Sequence, residues 1–346
     1  MRPATRAALR HVLTHLLTPL LMCVGMGLAY LGAFADPSPH ELPVAVVGSG
    51  RSATELARTL EDRAGDKLAV HTVADRAEAV RELRDQDVFG AYVPGRRAPE
   101  LLIASAGSDT TASAVQKVFT PVAARQGAPL KVTDVVPPSE GDPTGQGIFF
   151  LLVALSIGSY ASVAVIGGAG GALPLRIRAA LAAVTSLVVS VIGVVLAGPV
   201  FDLVDHGMWG LWGLAWLYSA GVLFIGTGLH TFLKRWTTLG VMVLFVMLNF
   251  TSAGGVFRPE LQNRFFAGLH GFWNGAGFVE GTRGLVYFGH SGLGGHVATL
   301  LGWLVVGLAV LGAAWAVEHR RGVRAAAGTE AEEAGAEEEM EEAVGV

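Results

Sequence analysis

Apolar residues gather into six runs along this chain, separated by polar stretches of very unequal length. The first run covers 12–35 and follows Arg2, Arg6, Arg10 and His11. Ala33-Phe34-Ala35 resembles a signal-peptide cleavage site. The run is nevertheless nearer a full membrane crossing than the roughly 7–15 residues of a signal core, so a retained anchor over 1–35 is expected. The other runs lie at 148–168, 177–197, 211–230, 238–253 and 297–317. Each approaches the roughly 20 residues a helix needs to cross hydrocarbon, and 238–253 is the short one.

Between the first and second runs, from 36 to 145, the period changes. Strands are expected at 42–47, 68–73, 89–93, 101–104 and 130–136. Helices are expected at 52–64, 76–87 and 110–126, the last interrupted near Pro121. That alternation predicts a small α/β domain, readable as two related β-α-β halves. Gly48-Ser49-Gly50 lacks the third glycine of a dinucleotide fingerprint and reads as a tight turn capped by Ser52. Pro137, Pro138, Pro143 and Gly145 form a linker back to the apolar runs.

Composition agrees with a membrane chain. Of 346 residues 51% are hydrophobic and 16% charged, and mean hydropathy is +0.49. Those values exclude an ordinary soluble domain. The net charge of −4 comes from the C-terminus, where 330–342 holds eight Glu and no basic residue. Its one-sided charge and lack of large apolar side chains predict a disordered tail over 318–346. The one cysteine, Cys23, excludes an intrachain disulfide and a cysteine metal site.

Basic residues set the expected orientation. Arg176 and Arg178 lie between the second and third runs, Lys234 and Arg235 between the fourth and fifth, and His319, Arg320, Arg321 and Arg324 after the sixth. The connection holding Asp202 and Asp205 has no Lys or Arg. The positive-inside rule then gives an α-helical polytopic protein of the plasma (inner) membrane with six transmembrane helices. Both termini are cytoplasmic and the extracytoplasmic α/β domain lies between the first and second helices. Arg258, Arg264 and Arg283 dissent.

Those three fall in the stretch 249–288, which is too polar and glycine-rich to cross a bilayer and too aromatic for an ordinary loop. Phe265, Phe266, Leu269, Phe272 and Trp273 recur at helical spacing. Pro259 suits a first helical turn and Glu260 complements its dipole. A broken, re-entrant pair of short helices over 252–290 is expected at the outer surface, with a plain external loop as the alternative. Asn249 is expected to bond across helices. Glu280 and Arg283 share a helix face, a pair worth about 0–1 kcal/mol if exposed and able to hold the second short helix in register if buried. The candidate outer-gate residues are Asn249, Gly254, Gly255, Phe265, Phe266, Trp273, Glu280 and Arg283.

The sequence carries no P-loop, no H-E-x-x-H and no G-x-S-x-G in a strand–turn–helix setting. The apolar runs have almost no ionisable residue, whereas an ion-coupled carrier needs one at mid-membrane. His270, His290 and His296 flank the aromatic stretch without ligand spacing. No catalytic, cofactor or metal residue is therefore assigned, the chain is not expected to be an enzyme, and any energy for movement would come from a separate subunit.

Ser252-Ala253-Gly254-Gly255, Pro259-Glu260-Leu261, Phe265-Phe266, Gly275-Ala276-Gly277, Glu280, Arg283 and Tyr287-Phe288 together resemble the segment before the last span of ABC-2-type exporter permeases. In particular they are similar to actinobacterial YhgE/Pip-like membrane proteins. The resemblance covers about 148–317, extends to the anchor by position and to 36–145 by placement. Phe272-Trp273-Asn274 stands where the family has a proline-rich turn. The resemblance implies a five-helix membrane domain over 146–317 and a homodimer or paralogous heterodimer. It also implies a separate ABC ATPase subunit carrying the ATP, touched by a loop holding Leu173, Pro174, Arg176 and Arg178. A hydrophobic or amphipathic substrate follows, with membrane lipid and no nucleic acid as partner. The competing expectation is a non-transporting surface receptor or secretion-system scaffold.

Overall fold

The computed structural model describes residues 3–95, 98–125 and 127–344, with side chains for all of these except 3–8, 11, 15 and 325–344. The chain is mostly helical, and among the described residues five helices are long and apolar enough to cross a membrane. They are Val12–Phe34, within α1 (Pro3–Phe34); α5 (Gly147–Gly168); Leu175–Val200, formed by α6 (Leu175–Val195) and one wide turn; Met208–Ser252; and Leu293–Arg324.

Met208–Ser252 covers two of the apolar runs in one helical tract, but it is not straight. Helix α7 (Met208–Leu233) ends at Lys234, whose φ of +50° turns the chain. The short helices α8 (Thr237–Met242) and α9 (Leu248–Ser252), joined by a wide turn, then run back. Asn249 Nδ2 donates to Tyr218 Oη at 2.9 Å. In a straight helix those residues would lie about 46 Å apart. The tract is a hairpin of two antiparallel limbs.

Helix α7 is the hub of the bundle, packed against α5, α6 and the final helix α12 (Leu293–Val344). Glycine permits the close approach. A Cβ at Gly228 would lie 3.0 Å from the Leu311 backbone, and one at Gly226 would lie 2.5 Å from Val163. Disorder was expected after residue 318, yet α12 continues to Val344. Ala and Glu are strong helix formers, and extending an existing helix avoids the cost of nucleation.

The α/β domain is a five-stranded sheet in the order β2-β1-β3-β4-β5. Its strands are β1 (Leu42–Val47), β2 (Leu68–Val73), β3 (Ala91–Val93), β4 (Glu100–Ile103) and β5 (Lys131–Asp134). All neighbours are parallel except β3 and β4. Helices α2 (Arg51–Ala64) and α4 (Asp109–Arg125) cover one face through Ala53, Ala57, Val115 and Phe119. Helix α3 (Arg76–Asp85) covers the other through Ala79 and Leu83. The turn after β1 is capped by Gly50 and not by Ser52, which lies inside the first turn of α2.

This domain sits at one end of the bundle. Ser139 Oγ donates to the Leu203 carbonyl at 2.9 Å, Ser291 Oγ to the Asp85 carbonyl at 3.2 Å, and Thr110 Oγ1 to the Val256 carbonyl at 2.8 Å. At the opposite end the buried Arg178 pairs with Glu318, which also accepts from Thr231 Oγ1 at 2.8 Å. The basic turns 174–178 and 234–236 and the residues following Glu318 therefore gather at the end away from the sheet.

Candidate functional site

The chain between α9 and α12 is built from three short helical pieces. A single 3-10 turn, Pro259–Leu261, comes first, with Pro at its start. Asn263 then caps α10 (Arg264–His270): its Oδ1 accepts from the Phe265 and Phe266 amides at 3.1 and 3.3 Å. The helix thus begins at Arg264 and not at Pro259, because Gln262 and Asn263 are extended. Trp273 starts α11 (Asn274–Val286), in which every residue is buried. A helix buried all round is normally apolar, yet α11 carries Glu280 and Arg283.

Those two side chains belong to a buried ion network. Glu280 and Arg283 are 2% and 0% exposed. Arg283 Nη1 donates to Glu280 Oε1 at 2.9 Å and to the Gly254 carbonyl at 2.9 Å. Arg258 Nη1 donates to Glu280 Oε2 at 3.1 Å and to Gln86 Oε1 at 3.2 Å. The Arg258 guanidinium also lies 4.5 Å from the Phe89 ring centroid, a cation–π contact. Gln86 and Phe89 belong to the α/β domain, so one carboxylate joins that domain, the 252–290 segment and the bundle. Burial alone would push the Glu280 carboxyl up, but Arg258 and Arg283 outweigh it and hold it well below the usual carboxylate range. Burial also lowers the His270 imidazole, and its Nδ1 is 2.9 Å from the Ser252 carbonyl, so that nitrogen carries the proton.

Two glycines make room for the network. Gly254 has φ +75°, and a Cβ there would lie 2.7 Å from His270 and 2.9 Å from Glu280. A Cβ at Gly255 would lie 2.0 Å from the Phe149 ring of α5. Below them Asn249 bonds Tyr218, whose Oη is 2.5 Å from Ser156 Oγ, forming a polar chain across α9, α7 and α5.

Of the outer-gate residues, Asn249, Gly254, Gly255, Glu280 and Arg283 come together here. Trp273 is buried nearby, its Nε1 donating to the Leu244 carbonyl at 3.1 Å and its ring 5.2 Å from Trp303. Phe266 is buried, whereas Phe265 is 62% exposed and does not join the cluster. The expected single aromatic face is therefore divided, because Gly271 and Phe272 break the helix before Trp273. Arg258 was legible only as one of three arginines that dissent from the expected orientation. Gln86 and Tyr218 gave no signal, since their partners are distant in sequence, and His270 gave only its place beside the aromatic stretch.

The candidate ATPase-contact loop also divides. Leu173, Pro174 and Arg176 are exposed, but Arg178 is buried against Glu318 and the Leu173 carbonyl, 3.1 Å from its Nε. Arg178 closes the loop onto α12 and offers nothing to a partner. Among the described residues no cluster of His, Cys, Asp and Glu could hold a metal ion. No family model, no curated protein and no solved structure matches this chain.

Proposed function

We propose that this chain is the membrane-spanning permease subunit of an ABC-type exporter, moving a hydrophobic or amphipathic substrate with energy from a separate ATPase subunit that holds the ATP. The observation that carries the reading is α11, an all-round buried helix pinned by Arg258, Glu280 and Arg283 at the seam between bundle and α/β domain. Segment 252–290 then serves as a plug at the outer mouth, and opening a path requires this network to rearrange.

In this reading the chain crosses the plasma membrane six times, the Met208–Ser252 hairpin supplying two crossings. Clustering of the basic turns at the end away from the sheet supports cytoplasmic termini and an external α/β domain. Leu173, Pro174 and Arg176 face the ATPase. The chain pairs with a second copy or a paralogue, and lipid covers the rest.

The test is recovery from native membranes in mild detergent. A nucleotide-binding subunit should co-purify, and replacing that subunit's P-loop lysine should abolish export while leaving the level of this chain unchanged. A functional complex with no nucleotide-binding subunit refutes the reading.

The second reading, a membrane-anchored receptor or secretion-system scaffold, draws on the Arg258–Gln86 and Arg258–Phe89 contacts, which join the α/β domain to the 252–290 segment. Deleting 40–140 would uncover Arg258, so the ATPase experiment separates the readings more cleanly than truncation.

A further inference from the structure

On the face of the sheet that carries α2 and α4, the two helices leave a trough between them with a cavity volume of about 380 Å³. That size falls within the roughly 300–1,000 Å³ of small-molecule sites. Leu56 and Leu60 of α2, Leu68 of β2 and Val118 and Val122 of α4 form its walls. Thr59, Ala64 and Pro121 are too short to close it. The rim is different in kind. Arg63, Lys67 and Arg125 stand around the trough, all exposed, and no Asp or Glu lines it. None of the three is in an ion pair with a described residue. Pro39 also lines the trough, only five residues after α1 ends at Phe34. The His40 amide donates to the Glu260 carbonyl at 2.8 Å, which ties this edge of the domain to the 252–290 segment. The trough therefore opens beside the connection that follows α1 and is apolar inside and cationic at its edge.

We propose that this trough binds a single-chain anionic amphiphile, its alkyl chain against Leu56, Leu60, Val118 and Val122 and its carboxylate or phosphate among Arg63, Lys67 and Arg125. Burial of the chain supplies the driving force, and the three cations select the sign of the head group. A neutral or cationic amphiphile gains the first and forfeits the second. This site is independent of whether the bundle exports anything.

The test titrates the full chain, in phosphatidylcholine nanodiscs, with dansyl-undecanoate, using empty discs as the blank. Saturable fluorescence with one site per chain is expected. Dodecanoate should displace the probe, whereas dodecyltrimethylammonium should not. Arg63→Glu with Arg125→Glu should weaken binding about tenfold or more. Thr59→Trp, which places a ring in the trough, should abolish it. Both variants alter exposed helix positions, and unchanged thermal unfolding certifies their fold; if Thr59→Trp does not accumulate, the charge reversal decides alone. Binding that both variants leave intact overturns the proposal, as does equal displacement by the cationic amphiphile. Thr59→Trp changing the oligomeric mass while probe binding persists also overturns it, since a second copy would then occupy the trough.

Discussion

Replacing Glu280 by Gln keeps the shape of the side chain and removes the charge on which two buried guanidinium groups depend. At an effective dielectric constant of about 20, an ion contact near 3 Å carries ~5 kcal/mol of attraction. The Arg283 and Arg258 contacts, at 2.9 and 3.1 Å, are both of this kind. Much of that attraction only offsets desolvation of the three groups, so the net cost of deleting one partner from a buried set is about 3–5 kcal/mol. Arg258 retains Glu260, 3.5 Å from its Nε, but Arg283 keeps only the Gly254 carbonyl. Glu280→Gln should therefore destabilise the protein by about 3–5 kcal/mol, or roughly 6–20 °C in Tm at about 2–4 °C per kcal/mol. Intrinsic tryptophan fluorescence on heating in detergent is a suitable assay, because all seven Trp lie outside the α/β domain and report on the bundle and the 252–290 segment. The loss should be the same in low and high salt, since a buried pair is little screened. Replacing the three at once, with Arg258→Met, Glu280→Leu and Arg283→Met, should restore much of the stability, because the one carboxylate that then loses its partner is Glu260, whose side chain is 23% exposed. A fall under about 2 °C for Glu280→Gln, or a fall that salt reverses, would show the network to be hydrated, and the argument for a closed seam would be lost.

Gly255→Ala should lower the yield of folded protein and cost about 1–3 kcal/mol or more, because its Cβ would overlap the Phe149 ring at 2.0 Å; analytical size exclusion and Tm read this directly, and a wild-type profile would contradict it. At the opposite end, Arg178→Ala should destabilise by about 1–3 kcal/mol, since Glu318 loses its buried partner but is 31% exposed at its side chain and keeps Thr231, whereas Arg176→Ala should leave Tm unchanged. If Arg176 faces an ATPase subunit, the same Arg176→Ala variant loses co-purification. Glu100 gives a pH prediction. Hydrogen bonds from Arg76 and Thr133 hold its carboxyl down to about 2, below its ordinary 4.5. A depressed folded value stabilises the domain fully above about 4.5, and that contribution disappears as pH falls from there towards about 2. Hydrogen exchange of β4 and β5 in the full chain should accelerate across that window, and Arg76→Ala should flatten the dependence.

The elements were legible where a local pattern decides them. Strands β1 and β2 follow the apolar runs Leu42–Val47 and Leu68–Val73 residue for residue, because each is a short β-branched-rich run between turn residues. The apolar tracts were legible for the same reason, since hydrophobic length alone marks them. The α10 start was misplaced because Pro259 satisfies a 3-10 turn as readily as an α-helix, and the capping side chain lies four residues later at Asn263. The site was half legible. Glu280 and Arg283 sit three apart, so helical geometry already brings them together. What sequence spacing cannot give is the depth of the pair. A Glu–Arg pair at i and i+3 reads the same whether water or protein surrounds it, and the two cases differ by several kcal/mol. Burial here comes from residues 22 to 194 positions from Glu280: Gly254 and Gly255 admit Glu280 and Phe149, Arg258 supplies the second cation, and Gln86 and Phe89 cover it from the α/β domain. Of the three arginines that dissent from the expected orientation, Arg258 is the one that connects those elements. A cation placed against the prevailing charge asymmetry has no reason to be there as an orientation signal, so a buried carboxylate partner is the physical explanation to seek first, and Glu280 is that partner for both Arg258 and Arg283.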